Sequence, residues 1–148
     1  MLLLKNFTIA DAPILHLHMY PDLSIEQIEA LICEWQRKEF NGKYFEMFAI
    51  CYDEIIVGAI SLYQHSKEVI SIGPEIFPAY QRKGFAKQAM RLACDIAKEK
   101  GYKIVSQQIR INNEPSIALH KSLGFETNDL IYINAKGNQV FFYLKSLV

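Results

Sequence analysis

"FPAYQRKGFAKQAM", residues 77–90, is the stretch that decides the reading of this chain. Pro78 ends one segment, Arg82 and Lys83 stand side by side, Gly84 follows, and a helical pattern begins at once. Its apolar positions are Ala86, Ala89, Met90, Ala93, Ile96 and Ala97, and Gly101 is its natural stop. A strand end, a short loop and a helix N-terminus together make an anion site. The first backbone N–H groups of a helix lack internal partners, and the helix dipole adds partial positive charge there. Gly84 lets an oxygen-rich group approach the backbone with no Cβ in the way. Arg82, Lys83, Lys87 and Arg91 add side-chain cations near the same end, a composition that suits a pyrophosphate. No G-x-x-x-x-G-K-[ST] and no G-x-G-x-x-G occurs, so the loop is neither a Walker A nor a Rossmann loop.

Working outward, the 148 residues fit one domain spanning 1–148, and 51% hydrophobic residues can supply its core. Lys+Arg and Asp+Glu are both 16, which argues against a dedicated nucleic-acid binder. Cys33, Cys51 and Cys94 form no C-x-x-C pair and read as reduced thiols of a cytoplasmic protein. The opening MLLLKNF is too short for a signal peptide or a membrane span. Residues 2–9 read as a strand, and "ADAP" as a helix start with Asp11 as cap and Pro13 in the first turn. Residues 24–39 read as a helix with a Ser24–Gln27 capping box. Residues 45–51 and 55–63 read as a hairpin around Asp53-Glu54, although these are not favoured turn residues. Residues 69–77 are extended but broken by Gly73-Pro74, where the strand is expected to bulge or splay. A strand at 103–111, a short helix at 114–123 and a hairpin around Lys136-Gly137-Asn138 complete the order β-α-α-β-β-β-α-β-α-β-β. That is an α/β (α+β) single domain with a mixed sheet.

Gln81 to Ala86, Q-R-K-G-F-A, resembles the Q/R-x-x-G-x-G/A signature of the GNAT N-acetyltransferase superfamily. "NNEPSIALHKSLGF", 112–125, is similar to that family's second signature, an Asn followed by a helix ending in Leu-Gly-Phe. The resemblance covers nearly the whole chain and is weakest in residues 1–44. It implies an acetyl-coenzyme A site in a slot between the broken strand and the strand at 103–111, a splayed central pair. The pantetheine arm would pair with Pro74, Glu75 and Ile76. The pyrophosphate would lie on the backbone of residues 82–87, with Gln81, Arg82, Lys83, Gly84, Phe85, Ala86 and Lys87 forming the cradle and Asn113 facing them.

Acetyl transfer needs a neutral amine, a donor for the developing oxyanion (a backbone N–H near Ile76 is the candidate), and sometimes a proton for the leaving thiolate. Where many members of the family keep a tyrosine for that proton, this chain has His120; where amino-terminal acetyltransferases keep a glutamate, it has Gln108. Glu75 is the nearest alternative carboxylate. The expected activity is transfer of acetyl to a primary amine of a small molecule, with no metal, nucleic-acid or membrane partner. A homodimer stays open, and so do a protein-amine acceptor, a non-catalytic coenzyme A-binding module and an unrelated phosphate binder. His16 and His18, two apart on a helix, make a poor metal pair. Tyr20, Trp35 and Tyr44 are expected to pack the core, although they lie in the stretch that walls the acceptor pocket in similar proteins.

Overall fold

The structure, a computed structural model, describes residues 1–148. Ser24 and Gln27 close the expected capping box: the Gln27 N–H donates to Ser24 Oγ (3.1 Å) and the Ser24 N–H to Gln27 Oε1 (2.8 Å). Helix α2 (Ile25–Gln36) follows and buries Ile28, Ile32 and Trp35. It ends three residues before the expected limit, because Lys38 turns to φ +56° and a short strand β2 (Glu39–Phe40) pairs with the start of β3 (Lys43–Tyr52). The turn between them is Asn41-Gly42 at φ +52° and +76°, the type I′ geometry that this dipeptide favours. At the other end of β3, Asp53 and Glu54 adopt positive φ of +48° and +71° to connect to β4 (Ile55–Gln64).

The first strand, β1, is Leu2–Asn6, shorter than expected, and a 3₁₀ turn at Ile9–Asp11 leads into α1 (Ala12–His18). Asp11 does not cap α1. Its carboxylate accepts the Thr8 N–H at 2.8 Å and closes the 3₁₀ turn instead. The later elements are β5 (Val69–Ile76), α3 (Phe85–Glu99), β6 (Ile104–Arg110), α4 (Glu114–Ser122), β7 (Tyr132–Ile133) and β8 (Gln139–Ser146). The sheet runs β1-β3-β4-β5-β6-β8-β7 with β2 beside β3, and every pairing is antiparallel except β5–β6. This is the mixed α/β architecture expected, with β2 as the one added strand.

Alternation along the strands sends side chains to two cores. Phe48, Ile50, Ile60, Leu62, Ile70 and Val105 pack under α3, while Ala49, Cys51, Ala59 and Phe77 pack under α1 and α2. On the α3 side, the buried Glu46 carboxylate accepts from Tyr44 Oη (2.5 Å) and Asn6 Nδ2 (2.9 Å), with Lys38 Nζ at 3.4 Å. Burial pushes this carboxyl up, but the two hydrogen bonds and Lys38 outweigh it and hold the group below its ordinary value. Tyr44 is thus part of this network. At the β7 edge, Leu130, Ile131 and Ile133 are 58%, 54% and 65% exposed. No helix is long and apolar enough to cross a membrane.

The β3–β4 turn generates a stability test. A non-glycine residue in the left-handed region carries a conformational penalty of about 1 kcal/mol or more. Glu54→Gly should therefore raise the urea midpoint by an amount worth about 1 kcal/mol, with unchanged slope; a lower midpoint would mean that the Glu54 side chain contributes more than the turn costs.

Candidate functional site

The splay expected at Gly73-Pro74 is present, but it lies on one side of β5 only and begins earlier. Toward β4, β5 stays in register through Ser61↔Gly73, Ile60↔Pro74 and Gly58↔Ile76, with no bulge. Toward β6, the parallel ladder holds only Val69↔Ile104 and Ile70↔Val105. Backbone direction explains how a proline fits. The Phe77 N–H donates to Val57 O (2.9 Å), so odd-numbered amides of β5 face β4 and even-numbered ones face β6. The N–H that Pro74 lacks would have pointed into the open slot, where no ladder partner stands. The close approach of β5 to β4 requires Gly58, since a Cβ there would collide with the Glu75 carbonyl oxygen.

Gln107 on β6 marks where the two strands part. Its Oε1 accepts the Ile72 N–H (2.9 Å), and its Nε2 donates to Ile72 O (2.5 Å) and lies 3.2 Å from His120 Nε2. One side chain thus replaces a rung of the ladder. His120 Nδ1 is 2.8 Å from Ser116 O, so it carries the proton and donates, which leaves Nε2 to accept from Gln107. The ring is 3% exposed, and burial pushes its pKa below the ordinary value, with the bond to Ser116 offsetting this in part. The imidazole is therefore neutral at pH 7 with both nitrogens engaged, which runs against the expectation of an imidazolium proton donor. Gln107 was missed in the sequence; its position directly before Gln108 carried no signal without the strand register.

With Ile72 engaged and Pro74 lacking a donor, the Ile76 N–H is the β5 amide left facing the slot. Its carbonyl accepts from Gln81 Nε2 (3.0 Å), which ties the loop back to the strand. The slot then widens into a pocket of about 630 Å³ where Pro74, Glu75, Ile76, Gln81, Arg82, Gly84, Phe85, Ala86, Lys87 and Asn113, all expected there, come together with Tyr80, Pro115, Ser116 and Leu119. Lys83 is the exception, lining a separate groove with Met1, Leu2 and Tyr52.

Gly84 caps α3 at φ +81°, and Arg82 also takes a positive φ of +65°. No side chain caps this end, so the N–H groups of Phe85, Ala86 and Lys87 are free for an anion. Asn113 caps α4 by accepting the Ser116 N–H (3.3 Å), which leaves its amide N–H₂ directed elsewhere. Glu75 is exposed, and its charge, after burial, is the second cause that raises the Tyr20 phenol. Tyr20 packs against the core as expected, with its ring centroid 6.4 Å from that of Trp35. His16 bonds to Leu23 O (2.9 Å) and His18 stacks on Phe77 (4.3 Å between centroids); no three His, Cys, Asp or Glu side chains cluster.

Gln107→Leu removes both partners of Ile72 in a buried place. The variant should lose about 2 kcal/mol of unfolding free energy by urea titration, and the Ile72 amide should exchange with deuterium faster. Unchanged exchange at Ile72 would show that another group holds the strands at this point.

A protein-family model described as the acetyltransferase (GNAT) family matches residues 12–125. The chain is 30% identical over 95 residues to the SPbeta prophage-derived uncharacterized N-acetyltransferase YokL of Bacillus subtilis (strain 168), a match covering 62% of this chain and 54% of YokL. The chain thus spans about half the length of that relative. Among solved structures it resembles the microcin C7 self-immunity acetyltransferase MccE in complex with acetyl-CoA and AMP (TM-score 0.82, 18% identity, 98% of this chain and 92% of that one). It also resembles the spermidine N-acetyltransferase of Vibrio cholerae in complex with CoA and spermine (TM-score 0.76, 18% identity, 99% and 95%). With the fold, the splayed strands and the family match in agreement, the chain belongs to the GNAT acetyltransferase family.

Proposed function

We propose that this protein, acting as one catalytic unit in the cytoplasm, is an N-acetyltransferase that moves an acetyl group from acetyl-coenzyme A to a primary amine of a small molecule. The observation that carries this reading is a single continuous slot that joins the inward-facing Ile76 N–H to the uncapped N-terminus of α3. Acetyl-coenzyme A would supply an activated acetyl: the amine nitrogen bonds to the carbonyl carbon as the C–S bond breaks, the amine loses a proton and the thiolate departs. The residues fit that molecule. The free N–H groups of residues 85–87, with Arg82 and Lys87, hold phosphates; Asn113 lines the opposite wall; and the Ile76 N–H donates to the carbonyl oxygen as it gains charge. Glu75 draws the acceptor's ammonium to the mouth and takes its proton.

His120 borders the inner end of the slot. To deliver a proton its Nε2 would first have to be protonated, which burial opposes and which would set two donors, the new N–H and the Gln107 amide, against each other. In this reading the thiolate leaves unaided and most of the rate comes from holding the partners together. The same neutral His120, with Gln108 on the strand, also favours a second reading, a coenzyme A-binding module without turnover. Release of free thiol from acetyl-coenzyme A in the presence of an amine separates the two.

Calorimetry should detect acetyl-coenzyme A, and Gly84→Asp should abolish binding by placing a carboxylate over the free N–H groups; a folded Gly84→Asp variant with full affinity would overturn the site. Removing Arg82 or Lys87 should weaken coenzyme A more than pantetheine, which lacks the phosphates.

The pH dependence follows from the lowered pKa of His120. An imidazolium donor would be lost as pH rises through that lowered value, so a falling limb would begin below about pH 6.5. The reading here expects none in single-turnover rates above that pH, and expects His120→Phe to lower the chemical step by less than the roughly hundredfold of a positioned acid. A larger loss, partly restored by His120→Tyr, would reinstate His120 as the acid.

A further inference from the structure

Past Pro74 and Ser116, which line both spaces, the slot opens into a second cavity of about 620 Å³. Its wall is formed by β4, β5, β6 and β8, with Ser116 and His120 of α4. Tyr63 pairs with Ser71 across β4–β5, Ser61 with Gly73, and Gln108 with Phe142 across β6–β8. None of its 15 lining residues is Asp, Glu, Lys or Arg. The two histidines are neutral at pH 7: His120 for the reasons above, and His65 because burial and then the charge of Lys43 lower its pKa. The wall is nevertheless polar. Ser71 Oγ donates to Ser106 O (2.5 Å) and lies 2.5 Å from His65 Nε2. The Ser61 and Tyr63 hydroxyls and the Gln108 amide all border the cavity and have no partner within the chain.

Resting on the acetyltransferase reading, we propose that this cavity holds the body of the acceptor, and that the acceptor is a compact monoamine whose neighbouring carbons carry hydroxyl groups, of the amino-sugar class. Three neutral hydrogen-bonding groups without partners ask for a ligand that both donates and accepts, as hydroxyls do. A purely aliphatic amine would leave them desolvated and unpaired, which costs free energy. A polyamine would bring further ammonium groups past Glu75 into a space that offers them no counter-charge. Glu75, the one carboxylate lining the adjoining pocket, matches a single ammonium. Oxygen-bearing carbons beside the amine also lower its pKa below the ~10.4 of a simple alkylammonium, so that a larger share of it arrives neutral. That suits a cavity with no carboxylate base inside. The likeness to a spermidine N-acetyltransferase, at 18% identity, is a likeness of fold.

The test is thiol release from acetyl-coenzyme A with glucosamine, hexylamine, spermidine and a short peptide bearing a free N-terminus, alongside calorimetry of acetyl-coenzyme A alone. Glucosamine should exceed the other three in kcat/KM by about tenfold or more. Tyr63→Phe and Ser61→Ala should raise KM for glucosamine with little change in kcat or in acetyl-coenzyme A affinity. Gln108→Glu should shift preference toward spermidine. If spermidine, hexylamine or the peptide is the best substrate of the unaltered protein, the acceptor class is overturned while the acetyltransferase reading stands. If acetyl-coenzyme A binds and none of the four amines releases thiol, both are overturned.

Discussion

The parallel ladder between β5 and β6 stops after two residue pairs, and Gln107 holds the strands at the point where it stops. A primary amide is a copy of a peptide unit, with one acceptor and a donor, so it completes the Ile72 backbone as a neighbouring strand would. Beyond it β6 is free to diverge, because the polar groups of β5 that remain on that side are few. Pro74 brings no N–H, and the Ile76 carbonyl is met by Gln81. The Ile76 N–H alone among the β5 amides is left open to the slot, where a group shut away from water would cost about 1–3 kcal/mol. His120 completes the arrangement from α4 by accepting the second amide proton of Gln107, so helix and strand are locked through one side chain.

Two consequences meet in the slot. Its outer half is built of backbone N–H groups and cations, and its inner half of neutral hydroxyls and amides. The α3 N-terminus can stay uncapped because it borders an open pocket where water or an anion satisfies it. Charged and neutral walls are thus separated along one passage, with Pro74 and Ser116 lining both parts.

The features legible in the sequence were those fixed over short spans. The loop at 81–86 and the capping box at Ser24–Gln27 depend on neighbours a few residues away and appear where expected; the Gly73-Pro74 break was legible too, but the strands part earlier and on one side of β5 only. The features that escaped depend on register between distant segments. Gln107 meets Ile72 across 35 residues of chain, Gly58 meets Glu75 only because β4 and β5 pair as they do, and Lys83 points away from Arg82 because the loop backbone turns between them. The Asn41-Gly42 turn is a different case. Its signal was local and strong, but the helix read through residue 39 took in Lys38, where the backbone turns, and Glu39, where β2 begins, so no strand was left to precede the turn.

The edge at β7 bears on how the protein behaves in solution. Leu130, Ile131 and Ile133 present apolar side chains beside a strand of only two residues whose outer backbone faces no partner. The sequence has a net charge of zero and a pI near 6.9. Long-range repulsion between molecules is therefore weakest near neutral pH, where an unpaired edge is most free to meet its like. Colloidal stability should improve on either side of neutrality, and salt, by screening a repulsion that is already small, should change it little at pH 7 and markedly at pH 9.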